Sequence, residues 1–265
     1  MNFLNKNEDI MSKNFLKNGF IINRNEKIKS FIYINSLFQK NIKKILNKKT
    51  YINFNKLHNY VSVNNLNDFR LNLIHKINKD RNIRFHYFNL ARNSLYNIVG
   101  NELMMQNNIN LSIQFPNDES SLLPIHSDVW SGDSPYEVNL WLPLVDCYKT
   151  KSMYILKPEE NIKFIKIMKN KKYSESSKIY KLLKKKVRWI KINKGNYLLF
   201  NQNLPHGNVV NKESETRISM NCRYKSLFSP YNYKKFGEVF KPVSIKPGTI
   251  LGLNYKYPYE TDENF

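Results

Sequence analysis

Three side chains in the second half of the chain have the types and spacing to hold a divalent metal. His126 and Asp128 are separated by one residue in Ile125-His126-Ser127-Asp128, and a third candidate, His206, lies in Leu204-Pro205-His206-Gly207-Asn208. In an extended segment, residues i and i+2 project from one face about 7 Å apart, at a rise of about 3.3 Å per residue, so an imidazole nitrogen and a carboxylate oxygen can converge on one ion. An imidazole from a facing strand completes a two-histidine, one-carboxylate set and leaves the opposite positions open. That arrangement suits non-haem iron(II), which takes up a cosubstrate and dioxygen there. A His-x-Asp tripeptide alone is common and acquires meaning only from its surroundings. The remaining histidines, His58, His75 and His86, have no carboxylate arranged about them and read as structural.

Those surroundings include Arg217-Ile218-Ser219, eleven residues after His206. Strand alternation places Arg217, Ser219, Asn221 and Arg223 on one face and Ile218, Met220 and Cys222 on the other. A guanidinium holds a carboxylate through two parallel charge-assisted hydrogen bonds, and a hydroxyl two residues on adds a third. Such a face is either solvated or lines a pocket, and its place after His206 favours the pocket. In Tyr136–Leu144 the aliphatic set Val138, Leu140, Leu142 and Leu144 faces the sheet core, so Asn139 and Trp141 turn to the barrel interior. Gln114 and Ser112, on the polar side of Asn110–Phe115, turn the same way, and Gln114 and Asn139 are candidates for contacting the cosubstrate. Trp130, Ser131, Asp133 and Tyr136 follow the metal pair in a loop that reads either as a plain polar turn or as the pocket rim. Trp130, Asp133, Tyr136 and Arg223 are the candidates for substrate contact, with Asp133 or Tyr136 placed to bind hydroxyls.

Strands must carry these residues. From about residue 108 the pattern alternates with period two, in runs at 110–115, 122–129, 136–144, 152–156, 187–192, 197–200, 207–210 and 217–225. Turn signals such as Ser131-Gly132-Asp133 and Lys194-Gly195-Asn196 separate them. Short strands punctuated this way predict a jelly roll of two facing sheets. Residues 1–107 read instead as helical support, with apolar residues at helical intervals from Glu26 to Leu46 and again over 65–80. Phe15–Ile22 reads as a helix end, a glycine turn and a strand start. A basic helical insertion occupies 159–186, over the mouth or flank of the barrel, and 229–265, rich in Pro, Tyr and Gly, is expected to wrap the outside. The expectation is one domain over 1–265, mainly β with α.

The chain has 265 residues, 41% hydrophobic and 14% aromatic, enough for one sizeable core. The formal charge is +22, with lysine scattered throughout and dense only at Lys43–Lys49, Lys169–Lys172 and Lys184–Arg188. Nucleic-acid surfaces normally cluster their basic residues, so the charge reads first as compositional, and a nucleic-acid partner is not expected. The basic insertion could still greet an anionic substrate. Cys147 and Cys222 are too few for a disulfide framework or zinc knuckle and read as buried small hydrophobes, which fits a reduced, cytoplasmic compartment. The first residues lack a secretory pattern and no apolar run is long enough to span a bilayer. Nothing predicts an oligomer.

The set His126-x-Asp128, His206 and Arg217-x-Ser219 resembles the iron(II)/2-oxoglutarate-dependent oxygenase superfamily, over about residues 108 to 228. FLKNGFII, at 15–22, is similar to the opening segment of phytanoyl-CoA-hydroxylase-like members. The stretch His126–Pro158 (HSDVWSGDSPYEVNLWLPLVDCYKTKSMYILKP) resembles most the oxygenases found sporadically in bacterial carbohydrate-biosynthesis clusters. The resemblance implies a double-stranded β-helix of cupin-like type, with His126, Asp128 and His206 as Fe(II) ligands. It further implies that Arg217 and Ser219 hold the distal carboxylate of 2-oxoglutarate, and that dioxygen is the oxidant. Related halogenases carry a small residue in place of the carboxylate, so Asp128 argues against halogenation. A carbohydrate or glycan precursor, such as a nucleotide sugar or surface polysaccharide, is the expected small-molecule substrate. The alternatives are the same chemistry on an amino acid, lipid or other metabolite, or a non-redox cupin-like binding or epimerising protein.

Overall fold

The computed structural model describes residues 3–168, 176–231 and 237–256. Helix α1 (Lys6–Asn18) starts where the Asn5 side chain accepts from the backbone of Glu8 while the Glu8 carboxylate accepts from Asn5 N, a reciprocal cap. It stops at Gly19, whose φ of 78° is the left-handed conformation that ends helices. The chain passes directly into β1 (Phe20–Arg24), the helix–turn–strand order read from FLKNGFII. Helix α2 (Ile28–Leu46) buries Phe31, Ile34, Phe38 and Ile42, a single stripe at helical spacing. Behind it come α3 (Leu66–Asn78), α4 (Ile83–Asn89) and α5 (Arg92–Ile98).

The strands are β2 (Leu103–Gln106), β3 (Asn110–Gln114), β4 (Val138–Pro143), β5 (Tyr154–Leu156), β6 (Val187–Trp189), β7 (Asn196–Asn201), β8 (His206–Gly207), β9 (Arg217–Ser226) and β10 (Phe240–Ser244). The helical insertion supplies α6 (Pro158–Met168) and α7 (Ser176–Leu183), and α8 (Pro247–Asn254) follows β10. The larger sheet runs β1-β7-β4-β9-β2-β10, with β3 also pairing β9, and the smaller runs β6-β5-β8. Every pairing is antiparallel. These sheets form a jelly roll that does not close into a continuous barrel.

Strand β9 organises the larger sheet, pairing β4 along one edge and β3 then β2 along the other. Its Ile218, Met220, Cys222 and Tyr224 are fully buried in one apolar cluster with Ile34, Phe38, Leu73 and Leu140. The helices thus cover one face of the sheet, which frees the polar face of β9 to look between the sheets. A second, smaller cluster joins Tyr154 and Leu156 of β5 to Phe164, Ile179 and Leu183 of α6 and α7, so the insertion lies on the flank of the smaller sheet. Both cysteines are unpaired and buried, and burial pushes each thiol up to about 12.

The structure corrects three expectations. Residues 122–129 do not form a strand: they stay extended up to one isolated bridge at His126, and Asp128 already starts a 3-10 turn over Asp128–Ser131. Pro124 has no N–H to give to a ladder, which limits pairing there. Residues 229–265 are more than an external wrap, because β10 pairs β2 and buries Phe240 completely. The support region contributes a further strand beyond the one begun in FLKNGFII, since β2 also joins the larger sheet. The Lys169–Lys172 cluster lies outside the described residues, as does the middle of the helical insertion. Among the described residues no helix is long and apolar enough to cross a membrane. Leu140 is fully buried between the helices and β9. Leu140→Ala should lower the unfolding free energy by about 2–5 kcal/mol, read from the midpoint of urea denaturation at unchanged slope.

Candidate active site

His126 and His206 form an antiparallel backbone pair: His126 N donates to His206 O at 2.9 Å and His206 N to His126 O at 2.8 Å. Their rings lie 4.3 Å apart, centroid to centroid. His126 Nε2 is 3.4 Å and His206 Nε2 3.8 Å from the same oxygen, Asp128 Oδ1. The three ligand atoms all lie within 4.8 Å of one another, and the 3.4 and 3.8 Å separations from Asp128 Oδ1 are ones that a single ion bridges at bond lengths of about 2.0–2.2 Å. Each imidazole is oriented identically, by a bond from Nδ1 to the carbonyl two residues earlier: Pro124 O at 2.8 Å and Leu204 O at 2.9 Å. With Nδ1–H engaged, the Nε2 lone pair points at the shared site. The middle residue of the tripeptide is an anchor, its Ser127 hydroxyl donating to Asn203 O at 2.9 Å while Asp128 N donates to Gln202 O at 3.2 Å.

The electrostatics suit a cation. Burial opposes ionisation of Asp128, but the hydrogen bond from His126 and the charges of His206 and Arg223 outweigh it and hold the carboxyl well below the usual range. Burial, aided by the neighbouring His126, pushes His206 down to about 4 against the pull of Asp128. Burial pulls His126 down, yet its bonds to Asp128 and Pro124 O leave it raised.

The same cavity, about 340 Å3, reaches Arg217. That guanidinium is buried, donates to Ser112 Oγ at 3.0 Å and Ser152 O at 3.3 Å, and has no carboxylate partner among the described residues. Its Nε and the buried Ser219 Oγ have no hydrogen-bond partner among the described residues. Burial without a counter-ion pushes Arg217 down to about 10. A buried cation flanked by unused donors is costly unless an anion joins it. These residues therefore fit a carboxylate ligand, and the His-Asp-His set fits a divalent metal.

The other expected site residues divide. Asp133, Asn139 and Arg223 line the cavity, with Arg223 paired to Asp128 and Asp133, and Asn139 carrying an unpartnered Oδ1. Gln114 is buried, but its amide donates to Val209 O at 2.6 Å and it does not line the cavity. Trp130 and Tyr136 do not line it either: Trp130 is 47% exposed and lies against Phe164, and Tyr136 is 56% exposed. Trp130 stands within the 3-10 turn Asp128–Ser131, which departs from the extended geometry that would have turned it inward. Gln202, Met153 and Phe200 were not legible as site residues, and Phe200 stands edge-on to His206 at 5.0 Å. Gly207 matters through close approach, because a Cβ there would sit 2.8 Å from both Leu123 O and the Tyr154 hydroxyl.

In sequence, the chain matches no protein-family model and no curated protein. Its fold, however, is found in solved structures. The nickel complex of ThoJ, described as a non-heme monooxygenase, superposes with a TM-score of 0.52 at 14% identity, over 89% of this chain and 84% of that one. EctD from S. alaskensis, crystallised with bound Fe, superposes with a TM-score of 0.51 at 12% identity, over 87% and 81% of the two chains. At these identities the likeness establishes the fold alone.

Gly207→Ala provides a test of the site's construction. The added methyl must displace backbone next to His126, so it should cost about 1–3 kcal/mol in a thermal melt. Nickel affinity measured by isothermal titration should fall with it, whereas an unchanged affinity would mean that this contact does not set the position of His126.

Proposed function

We propose that this chain is an iron(II)- and 2-oxoglutarate-dependent dioxygenase that hydroxylates a carbohydrate or glycan precursor. The observation that carries the reading is the uncompensated Arg217, with its unused Nε and the unused Ser219 hydroxyl, in one cavity with the His126-Asp128-His206 set. A protein that needed only a metal would have no use for a buried, unpaired guanidinium beside it.

In this reading His126, Asp128 and His206 hold iron(II), and Arg217 with Ser219 grips the distal carboxylate of 2-oxoglutarate. Ser112, bonded to the guanidinium at 3.0 Å, fixes the plane in which Arg217 presents its donors. When bound, the iron and 2-oxoglutarate supply oxidation of a substrate C–H bond by dioxygen, coupled to release of succinate and carbon dioxide. Met153, Trp141 and Phe200 line the same cavity and keep bulk water from the reacting centre. Asn110, Ser131, Asp133, Asn139 and Asn221 also line it, and the free Asn139 Oδ1 is an acceptor awaiting a donor. A cavity combining amide and carboxylate acceptors with one indole supports a hydroxyl-rich substrate over a hydrocarbon one.

Anaerobic addition of iron(II) and 2-oxoglutarate should produce a weak visible charge-transfer band that His126→Ala and Asp128→Ala abolish. No band in the wild type, together with no succinate formed in air, would overturn the proposal. A panel of nucleotide sugars read by succinate release tests the substrate class. Stimulation by amino acids but by no sugar would move the chemistry to another substrate.

Arg217→Met separates function from folding. The metal-free variant should be more stable than the wild type by about 1–3 kcal/mol, because an unsatisfied buried group is removed. Its affinity for 2-oxoglutarate on the nickel-loaded protein should fall at least about 100-fold, since breaking a buried ion pair costs about 3–5 kcal/mol.

A further inference from the structure

We propose that Arg223 is a positioning residue for the metal ligand Asp128 rather than a contact for the substrate. The inference rests on the metal site in the reading above, but not on the identity of the cosubstrate. Arg223 projects into the cavity from the same strand face as Arg217, and its sequence position alone suits either role.

The geometry distinguishes them. Asp128 has two carboxylate oxygens with different neighbours. Oδ1 faces both imidazoles, and Oδ2 is taken by Arg223, through Nε at 3.2 Å and Nη2 at 3.0 Å. Arg223 is in turn held on its other sides: Nε also donates to Gln202 Oε1 at 2.9 Å, Nη2 lies 3.2 Å from Asp133 Oδ2, and Nη1 reaches Gln106 Oε1 at 3.4 Å. Gln202 closes the arrangement, its backbone carbonyl accepting from Asp128 N and its side-chain amide donating to Glu137 Oε2 at 3.0 Å. A guanidinium so engaged has few donors left for a substrate, and its charge is balanced by Asp128, Asp133 and the nearby Glu137, 4.0 Å from Nε.

The consequence falls on the metal. With Oδ2 bonded to Arg223, Asp128 offers a single oxygen to the ion. A carboxylate free to turn can offer both, and the second would take a coordination position that a cosubstrate needs. Partners of ligating carboxylates commonly change metal affinity 10–100-fold when removed.

The test uses full-length protein without iron or oxygen. Nickel affinity is measured by competition with a chromophoric chelator, and the visible spectrum of the cobalt(II)-loaded protein reports the coordination. Arg223→Gln should weaken nickel binding about 10–100-fold and alter the cobalt spectrum before any cosubstrate is added. Arg223→Lys, which keeps the charge but offers one nitrogen, should fall between it and the wild type. Nickel affinity within twofold of the wild type and an unchanged cobalt spectrum in Arg223→Gln would overturn the assignment. Should Arg223→Gln fail to fold because Asp133 is left unbalanced, Arg223→Gln combined with Asp133→Asn decides by the same two readouts. Wild type that binds nickel but not 2-oxoglutarate would sink the cosubstrate reading while leaving this one to be judged on its own variants.

Discussion

Two backbone hydrogen bonds, exchanged between His126 and His206, hold the site together. They set the separation of the imidazoles without any help from the side chains, and they join a segment with almost no other strand pairing to the smaller sheet. Everything at the candidate metal site is hung from that pair. Each ring takes its orientation from a carbonyl two residues back in its own segment. Asp128 takes its place from Gln202, four residues before His206, so all three ligands are referred to one short stretch of chain. The proline and glycine flanking His206 serve this arrangement: Pro205 precedes the bridge, and Gly207 leaves room for the backbone at Leu123 to pass.

The second constraint is charge, and β9 shows it twice. Arg217 and Arg223 lie on the same polar face, yet their environments are opposite. Arg223 faces Asp128, Asp133 and Glu137, and these carboxylates raise its affinity for a proton against the effect of burial. Arg217 faces a serine hydroxyl and a carbonyl, and burial lowers its own. A buried charge is tolerated when it is compensated, and an uncompensated one marks where a ligand supplies the missing charge. The strand thus carries one compensated and one uncompensated buried cation among the described residues, with the same residue type in both places.

That contrast explains which parts were legible from sequence. The period-two alternation of β9 and β4 correctly assigned Arg217, Ser219 and Arg223 to one face and Leu140 and Leu142 to the other, because alternation is a property of the backbone itself. His126, Asp128 and His206 were recognisable from residue type and spacing. What Arg223 bonds to was not legible, since it depends on Gln202 and Asp133, which reach it from different loops. The exposure of Trp130 was hidden for a similar reason: the 3-10 turn begins at Asp128 itself, so extended geometry could not be continued past it. The missing strand at 122–129 and the added strand β10 both reflect tertiary pairing, which local pattern does not encode.

The cavity also bears on the large positive charge of the chain. Of its lining residues, Arg217 and Arg223 are cationic and Asp128 and Asp133 anionic, and no lysine is among them. The formal charge of +22 therefore does not extend into the place where chemistry would occur. Holding an anion inside the cavity would require a cation without a carboxylate partner, and among the described lining residues Arg217 alone meets that description. One guanidinium matches one carboxylate, that of 2-oxoglutarate in the proposed reading. In that reading no other unpartnered cation among the described lining residues is left for the primary substrate, which favours an uncharged, hydroxyl-bearing group there over a phosphate or carboxylate. Any anionic portion of the substrate would have to lie further out, where the lysines are.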